Sequence, residues 1–258
     1  MATAALVTGG AARLGRAMAL RLASRGADVA VHYAASADAA EKLVAEIKGL
    51  GVNAVALQAD LLEADAVAAL VPQAAAALGG PLDVLINNAS IFEYDSLATA
   101  SPESWLRHID SNLRAPVFLT QAFARQAPEP GNDGEPVAAA NVINMIDQRV
   151  RKPTPEFMTY SIAKSGLWAF TKTAAQALAP RIRVNGIGPG PTLIGSRQSE
   201  EHFTNQRKAT ILQRGSNPAE ICRAMDFILD SPGFTGQLLC IDGGQHLAWQ
   251  TPDIQGPE

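Results

Sequence analysis

Tyr160 and Lys164 stand four residues apart in Tyr160-Ser161-Ile162-Ala163-Lys164. On a helix that spacing puts both on one face, one turn apart. A phenol beside an ammonium is a candidate proton donor, because the cation favours phenolate and draws the tyrosine pKa below its reference of about 10. Such pairs also occur on ordinary helices, so the surrounding elements decide. The pair lies in the stretch 141–166. An apolar strand-like run, Val142-Ile143-Asn144-Met145-Ile146, leads through a polar loop with two prolines into the segment carrying both residues.

The chain of 258 residues is 47% hydrophobic and 18% charged, with a net charge of −4. That composition is globular, and the length suits one large α/β domain. The acidic balance, with no basic block, argues against nucleic acid and acidic membrane surfaces as partners. The N-terminus reads as a first strand rather than a signal peptide, and no apolar run reaches the ~18 residues of a membrane span. Two cysteines, Cys222 and Cys240, form no disulfide framework, which suits a cytoplasmic protein. Four scattered histidines give no zinc spacing, so no metal is expected.

Short apolar runs alternate with long Ala-rich amphipathic segments. The runs are Ala4–Thr8, Asp28–Tyr33, Ala54–Gln58, Val84–Asn87, Val142–Ile146, Arg183–Ile187 and Leu238–Ile241, with helices starting near Leu14, Ala37, Glu63, Pro102, Phe157 and Pro218. Near-continuous apolar strands between helices indicate a parallel sheet covered on both faces. The expected architecture is therefore α/β. It is a single doubly wound Rossmann domain over residues 1–250 with a seven-stranded parallel sheet, followed by a flexible tail over 251–258. Pro128–Pro136 is a surface loop. Residues 188–212 follow a strand C-terminus and read either as a substrate lid or as a plain surface excursion.

After the first strand, Thr8-Gly9-Gly10-Ala11-Ala12-Arg13-Leu14-Gly15 forms a glycine-rich turn opening a helix. Such a turn lets backbone N–H groups approach a pyrophosphate. The second strand ends at His32-Tyr33-Ala34-Ala35-Ser36, without the acidic residue that receives an NAD ribose. Arg13, Ser36 and the His32 ring offer donors to a 2′-phosphate, so NADPH is expected over NADH. His32 reads equally well as an ordinary strand residue.

With these pieces the chain resembles the short-chain dehydrogenase/reductase family over nearly its full length. The turn Thr8–Gly15 comes first. Asp60 and Leu61 in Gln58-Ala59-Asp60-Leu61 resemble the adenine-contacting aspartate motif. Asn87-Asn88-Ala89-Ser90 resembles the motif after the fourth strand, and Asn112 the asparagine of a proton relay. Tyr160 and Lys164 match Y-x-x-x-K, Pro189-Gly190 the motif after the sixth strand, and Asp242-Gly243-Gly244 closes the last strand. The resemblance implies that Gly9, Arg13, Leu14, His32, Tyr33, Ser36, Asp60, Leu61, Asn88, Ala89, Ser90, Tyr160, Lys164, Pro189, Gly190 and Thr192 contact NADPH/NADP+. It implies Asn112, Tyr160 and Lys164 as catalytic, and a homotetramer.

Three departures are more specific. Arg13 replaces the middle glycine of the turn, Ser90 the glycine of the second motif, and Asp147 stands where the family carries its active-site serine, thirteen residues before Tyr160. Together with Phe92 they resemble the pteridine reductase branch, which includes bacterial dihydromonapterin reductases. That resemblance implies Arg13, Ser90, Phe92, Asp147 and Tyr160 as substrate-binding, with Asp147 also catalytic. The chemistry agrees. A carboxyl cannot donate to a ketone unless protonated, but a partly buried one with a raised pKa delivers a proton to the nitrogen of a C=N bond. Phe92 would stack a flat bicyclic ring against the nicotinamide. Each residue has a plainer alternative: Asp147 as an ordinary loop carboxylate, Phe92 as core packing, Arg13 as a 2′-phosphate ligand only. The expected function is reduction of a dihydropterin to a tetrahydropterin. The alternatives are a general 3-oxoacyl or keto reductase of the same fold, or a non-catalytic NADP(H)-binding protein.

Overall fold

The computed structural model describes residues 4–195 and 198–249. The expected tail 251–258, and the extreme ends of the expected domain, lie outside the described residues. The elements run in order as β1 (Ala4–Val7), α1 (Arg13–Ser24), β2 (Asp28–Tyr33), α2 (Ala37–Lys48), β3 (Ala54–Gln58), α3 (Ala64–Leu78), β4 (Val84–Asn87), α4 (Pro102–Ile109), α5 (Ala115–Gln126), β5 (Ala140–Met145), α6 (Met158–Leu178), β6 (Ile182–Pro189), α7 (Glu200–Lys208), α8 (Pro218–Asp230) and β7 (Leu238–Ile241). The sheet has seven strands in the order β3-β2-β1-β4-β5-β6-β7, and every pairing is parallel. The chain reverses direction across the sheet between β1 and β4, so a crevice opens beyond their carboxyl ends.

Strand alternation builds the two faces. Val7, Val31, Ile86 and Ile143 pack under α1, α2 and α8 through Met18, Leu43 and Met225. Their chain neighbours Leu6, Ala30, Leu85 and Val142 pack under α3, α5 and α6 through Leu70, Phe123 and Ala174. Both faces are therefore dry, which is why the strands read as continuous apolar runs. Among the described residues no helix is long and apolar enough to cross a membrane.

Two local features go beyond the sequence reading. The Pro128–Pro136 loop contains a two-stranded antiparallel ribbon pairing Gly131–Asn132 with Pro136–Val137. The helix expected to start near Pro102 is interrupted by a π-helical segment, Asp110–Arg114. Such a segment adds one residue to a turn and tends to occur at functional positions; Asn112 is in its middle.

Candidate active site

The cofactor end is built from backbone. Gly9 has φ of 59°, and a Cβ there would lie 3.0 Å from Ala89 Cα. A Cβ on Gly15 would meet the Gly9 carbonyl oxygen at 2.2 Å, closer than any side chain permits. The turn is thus drawn tight under the first residues of α1. The N-cap, Ala12, supplies no side-chain cap, and no acidic residue stands in the first turn. Unsatisfied N–H groups at such a helix start fit a pyrophosphate. Asn88 Nδ2 donates to the carbonyls of Thr8 and Gly9 at 2.9 and 3.1 Å, and the N–H groups of Asn88 and Ala89 donate to Thr8 Oγ1. The Asn88 amide nitrogen therefore braces the turn from beneath.

His32 requires a correction. It was expected to offer a donor to a 2′-phosphate, but its ring is buried and both nitrogens are engaged by the protein. Nδ1 accepts the Gly9 N–H at 3.0 Å, which leaves Nε2 to donate to the Ala59 carbonyl at 3.0 Å. Burial holds its pKa below the ordinary value. It pins the turn instead of meeting the phosphate. Ser36, at the start of α2, is exposed with no capping bond, and Tyr33 is half-buried at the tip of β2. The Ser36 hydroxyl is the β2-tip donor open to a phosphate. Asp60 is exposed, with Oδ1 accepting from Leu62 N at 2.9 Å, while Leu61 is buried beneath it. Leu14 is half-buried against the α1 face of the core.

Arg13 also departs from expectation. It sits at φ of 52°, and its guanidinium donates to the carbonyls of Ile194 and Leu193 at 2.7 and 3.1 Å. In this state it bridges the glycine turn to the 188–212 segment rather than facing a pterin. On that segment Gly190 is pressed against Asp242, where a Cβ would lie 2.6 Å from Cα. Thr192 is buried, donating to the Gly190 carbonyl at 3.0 Å and bonded to Ser216 Oγ. Pro189 closes β6 beside Ile241. All the expected cofactor residues thus lie along or just beyond one edge of the sheet.

Asp147, Tyr160 and Lys164 are brought together. Tyr160 Oη donates to Asp147 Oδ2 at 2.9 Å, and Asp147 Oδ1 accepts the Arg149 N–H at 2.8 Å. Asp147 is thus tied to Tyr160 and to the loop backbone at once. Burial raises the Asp147 pKa above the usual carboxylate range. Burial, and then the Asp147 charge, hold the phenol well above its usual value. The expected acidification of Tyr160 by Lys164 is therefore overturned in this state. Lys164 Nζ instead donates to the Met145 carbonyl at 2.8 Å and lies 5.7 Å from the Tyr160 ring centroid. Burial lowers its own pKa to about 8.

Asn112, the residue expected in the proton relay, has its side chain committed to one backbone unit: Oδ1 accepts Ile91 N–H at 2.9 Å and Nδ2 donates to Ile91 O at 2.8 Å. It fixes the start of the segment between β4 and α4. Ser90 is exposed there, with Oγ donating to Ile91 O at 3.3 Å. Phe92 is 42% exposed, so it is not core packing. Its ring stacks on Phe157 at 4.3 Å and stands edge-on to Tyr160 at 4.7 Å. Tyr94 meets Phe157 at 5.3 Å, and the Arg149 guanidinium lies over the Phe157 ring at 5.1 Å. Phe157, Tyr94 and Arg149 were missed from sequence. The one available signal was Phe157 standing three residues before Tyr160. Its left-handed φ of 55°, uncommon for a bulky residue, was not readable.

Three comparisons bear on this geometry. Residues 3–205 match the family model described as short chain dehydrogenase. The chain is 32% identical over 252 residues to 3-oxoacyl-(acyl-carrier-protein) reductase FabG of Staphylococcus aureus, covering 96% of this chain and 99% of the relative. Among solved structures, it is similar to FolM alternative dihydrofolate reductase 1 from Brucella suis in complex with NADP. The TM-score is 0.90 and the identity 44%, over 98% of each chain. It is also similar to a short chain dehydrogenase from Burkholderia cenocepacia in complex with NADP, with a TM-score of 0.86 and 33% identity over 95% of this chain and 98% of the other.

Proposed function

The chain belongs to the short-chain dehydrogenase family, and we propose that within it this oxidoreductase uses NADPH to reduce a dihydropterin to a tetrahydropterin. The observation that carries the substrate is the 2.9 Å bond from Tyr160 Oη to Asp147 Oδ2, which makes a carboxyl the partner of the proton donor. The 44% identity to an alternative dihydrofolate reductase supports the same reading.

NADPH, when bound, supplies the hydride to the substrate carbon. The fit of that group rests on the uncapped start of α1 and on the clash a Gly15 side chain would make. Ser36 would receive the 2′-phosphate, and Lys164 a ribose hydroxyl. The chain's own residues then handle the proton. Arg149 N–H fixes one oxygen of Asp147, so the other faces Tyr160. With its pKa raised by burial, Asp147 keeps a proton at pH values where an exposed aspartate has lost it. The substrate nitrogen takes its proton from the Asp147 carboxyl, which water re-protonates before the next turnover, and the Tyr160 hydroxyl, held neutral by burial, keeps that carboxyl in place. Phe92, backed by Phe157, forms a flat apolar wall that orders a planar ring and keeps water away.

Residues 188–212 would close over the crevice, with Arg13 as their tether to the glycine turn. The exposed Phe118 and the apolar cleft between α5 and α6 support assembly as a homotetramer, which light scattering would test. A second reading is favoured by the full-length likeness to 3-oxoacyl reductases: Tyr160 and Lys164 would reduce a ketone, with Asp147 a bystander. A panel of dihydropterins, 3-oxoacyl thioesters and quinones, followed by loss of NADPH absorbance, separates the two. Turnover of dihydrobiopterin or dihydromonapterin is expected. Ketone reduction with no pterin turnover would refute the pterin reading. Cofactor binding without turnover of any of them would point to a non-catalytic binder.

A further inference from the structure

A buried imidazole ties the substrate wall to the catalytic helix. His108, on α4, is fully buried. Its Nε2 accepts the Glu93 backbone N–H at 3.1 Å. A backbone amide only donates, so this nitrogen carries no proton. The proton sits on Nδ1, which faces Thr159 Oγ1 at 2.7 Å and also the Ser104 carbonyl one turn back on α4. Thr159 Oγ1 passes its own hydrogen to Asp95 Oδ2. The same carboxylate takes the Thr159 N–H at 3.2 Å, and the Asp95 carbonyl takes the Phe157 N–H at 2.8 Å. The Glu93 amide fixes the tautomer at one end, and Asp95, which only accepts, fixes the Thr159 hydrogen at the other. The chain joins α4, the wall segment and the first turn of α6. Phe92 adjoins Glu93 and Tyr160 adjoins Thr159, so it spans the two rings that stand 4.7 Å apart.

We propose that His108 is a positioning residue that holds Phe92 at its distance from Tyr160 only as a neutral imidazole, and that protonation of its ring releases the wall. The proposal rests on the pterin reading only for the identity of the ring that the wall receives. The charged groups facing His108 are Asp95 and Glu93 from the wall segment, which favour its proton, and Arg107 on its own helix, which opposes it. The Tyr160 ring stands edge-on at 6.0 Å. Burial, the largest influence, holds the His108 pKa below its ordinary value. Above the ordinary value of about 6.5 the ring is neutral folded or unfolded, and the pin is intact. As pH falls from there through the lower folded pKa, the unfolded chain takes the proton first and the pin's stabilisation is lost.

The test compares the wild type with His108→Gln, whose amide oxygen accepts the Glu93 N–H and whose NH2 donates to Thr159, with nothing to titrate. Histidine ring nitrogens and the Glu93 amide are followed by ¹⁵N NMR on the whole protein through an acid titration. The expected result is a bare Nε2 at neutral pH and a Glu93 amide that moves in step with the His108 ring, a movement absent in His108→Gln. In kinetics with whichever substrate the panel identifies, KM in acid rises about tenfold in the wild type and stays level in the variant, with similar kcat. A protonated Nε2 at neutral pH, or equal acid limbs in both proteins, would overturn the proposal. The NMR arm uses no substrate, so it stands apart from the fate of the pterin reading.

Discussion

The two ends of the crevice are pinned by the same device and built from different material. At the cofactor end, His32 accepts the Gly9 amide through Nδ1. At the other end, lined by Phe92, His108 accepts the Glu93 amide through Nε2. Both rings are buried and neutral, in opposite tautomers, and both hold a loop by its backbone. What they hold differs. The glycine turn presents bare N–H groups whose placement depends on missing side chains. The wall presents aromatic rings whose placement depends on contacts between α4, α6 and the segment between β4 and α4. A site made of backbone leaves a spacing of glycines in the sequence. A site made of packed side chains leaves almost nothing local.

That difference predicts which property each substitution moves. The largest effects belong to the proton-handling pair. Tyr160→Phe or Asp147→Ser is expected to lower kcat by about 10²–10⁴ while NADPH affinity, read by fluorescence titration, stays near the wild-type value. A matching loss of cofactor affinity would mean that the two ends are not separate. Gly15→Ala should do the reverse. Its methyl group would meet the Gly9 carbonyl at 2.2 Å, so the NADPH Kd should rise about 10- to 100-fold. An unchanged Kd would show that the tight turn is not what receives the pyrophosphate.

pH sharpens the contrast further. Lys164, lowered to about 8 by burial, loses its charge as pH rises through that value, so kcat/KM should fall on the basic side there. A profile level through that region would remove Lys164 from the reaction. On the acid side, Asp147 is held protonated to higher pH than an exposed carboxyl, so kcat should rise toward acid. A kcat level from about pH 5 to 8 would count against that role. The smallest expected effect is that of Ser36→Ala, which should weaken NADPH about two- to tenfold and leave NADH unchanged, as the NADPH and NADH affinities measured side by side would show.

The parallel sheet and its strand positions were legible because both faces are dry, which forces apolar runs. The Tyr160–Lys164 pair and the Gly9–Gly15 turn were legible because fixed spacings on a helix and a turn mark them, whereas Asp147 was legible only through the family resemblance. The direction of the Tyr160 hydrogen was not, since it depends on Asp147 arriving from β5 and on shared burial. Nor was the occupation of His32 and Asn112, whose partners Ala59 and Ile91 are 27 and 21 residues away in the chain. Phe157 and His108 escaped for the same reason: an aromatic or a histidine on a helix carries no mark of what folds against it.

On the proposed reading, a carboxyl at residue 147 selects a C=N bond over a ketone. The most direct test is kcat/KM of the wild type and of Asp147→Ser, each with a dihydropterin and a 3-oxoacyl thioester, at saturating NADPH. The wild type is expected to prefer the dihydropterin, and the serine variant to lose this activity while gaining or keeping ketone reduction. A wild type that reduces only the thioester, or a serine variant with undiminished dihydropterin turnover, would contradict it.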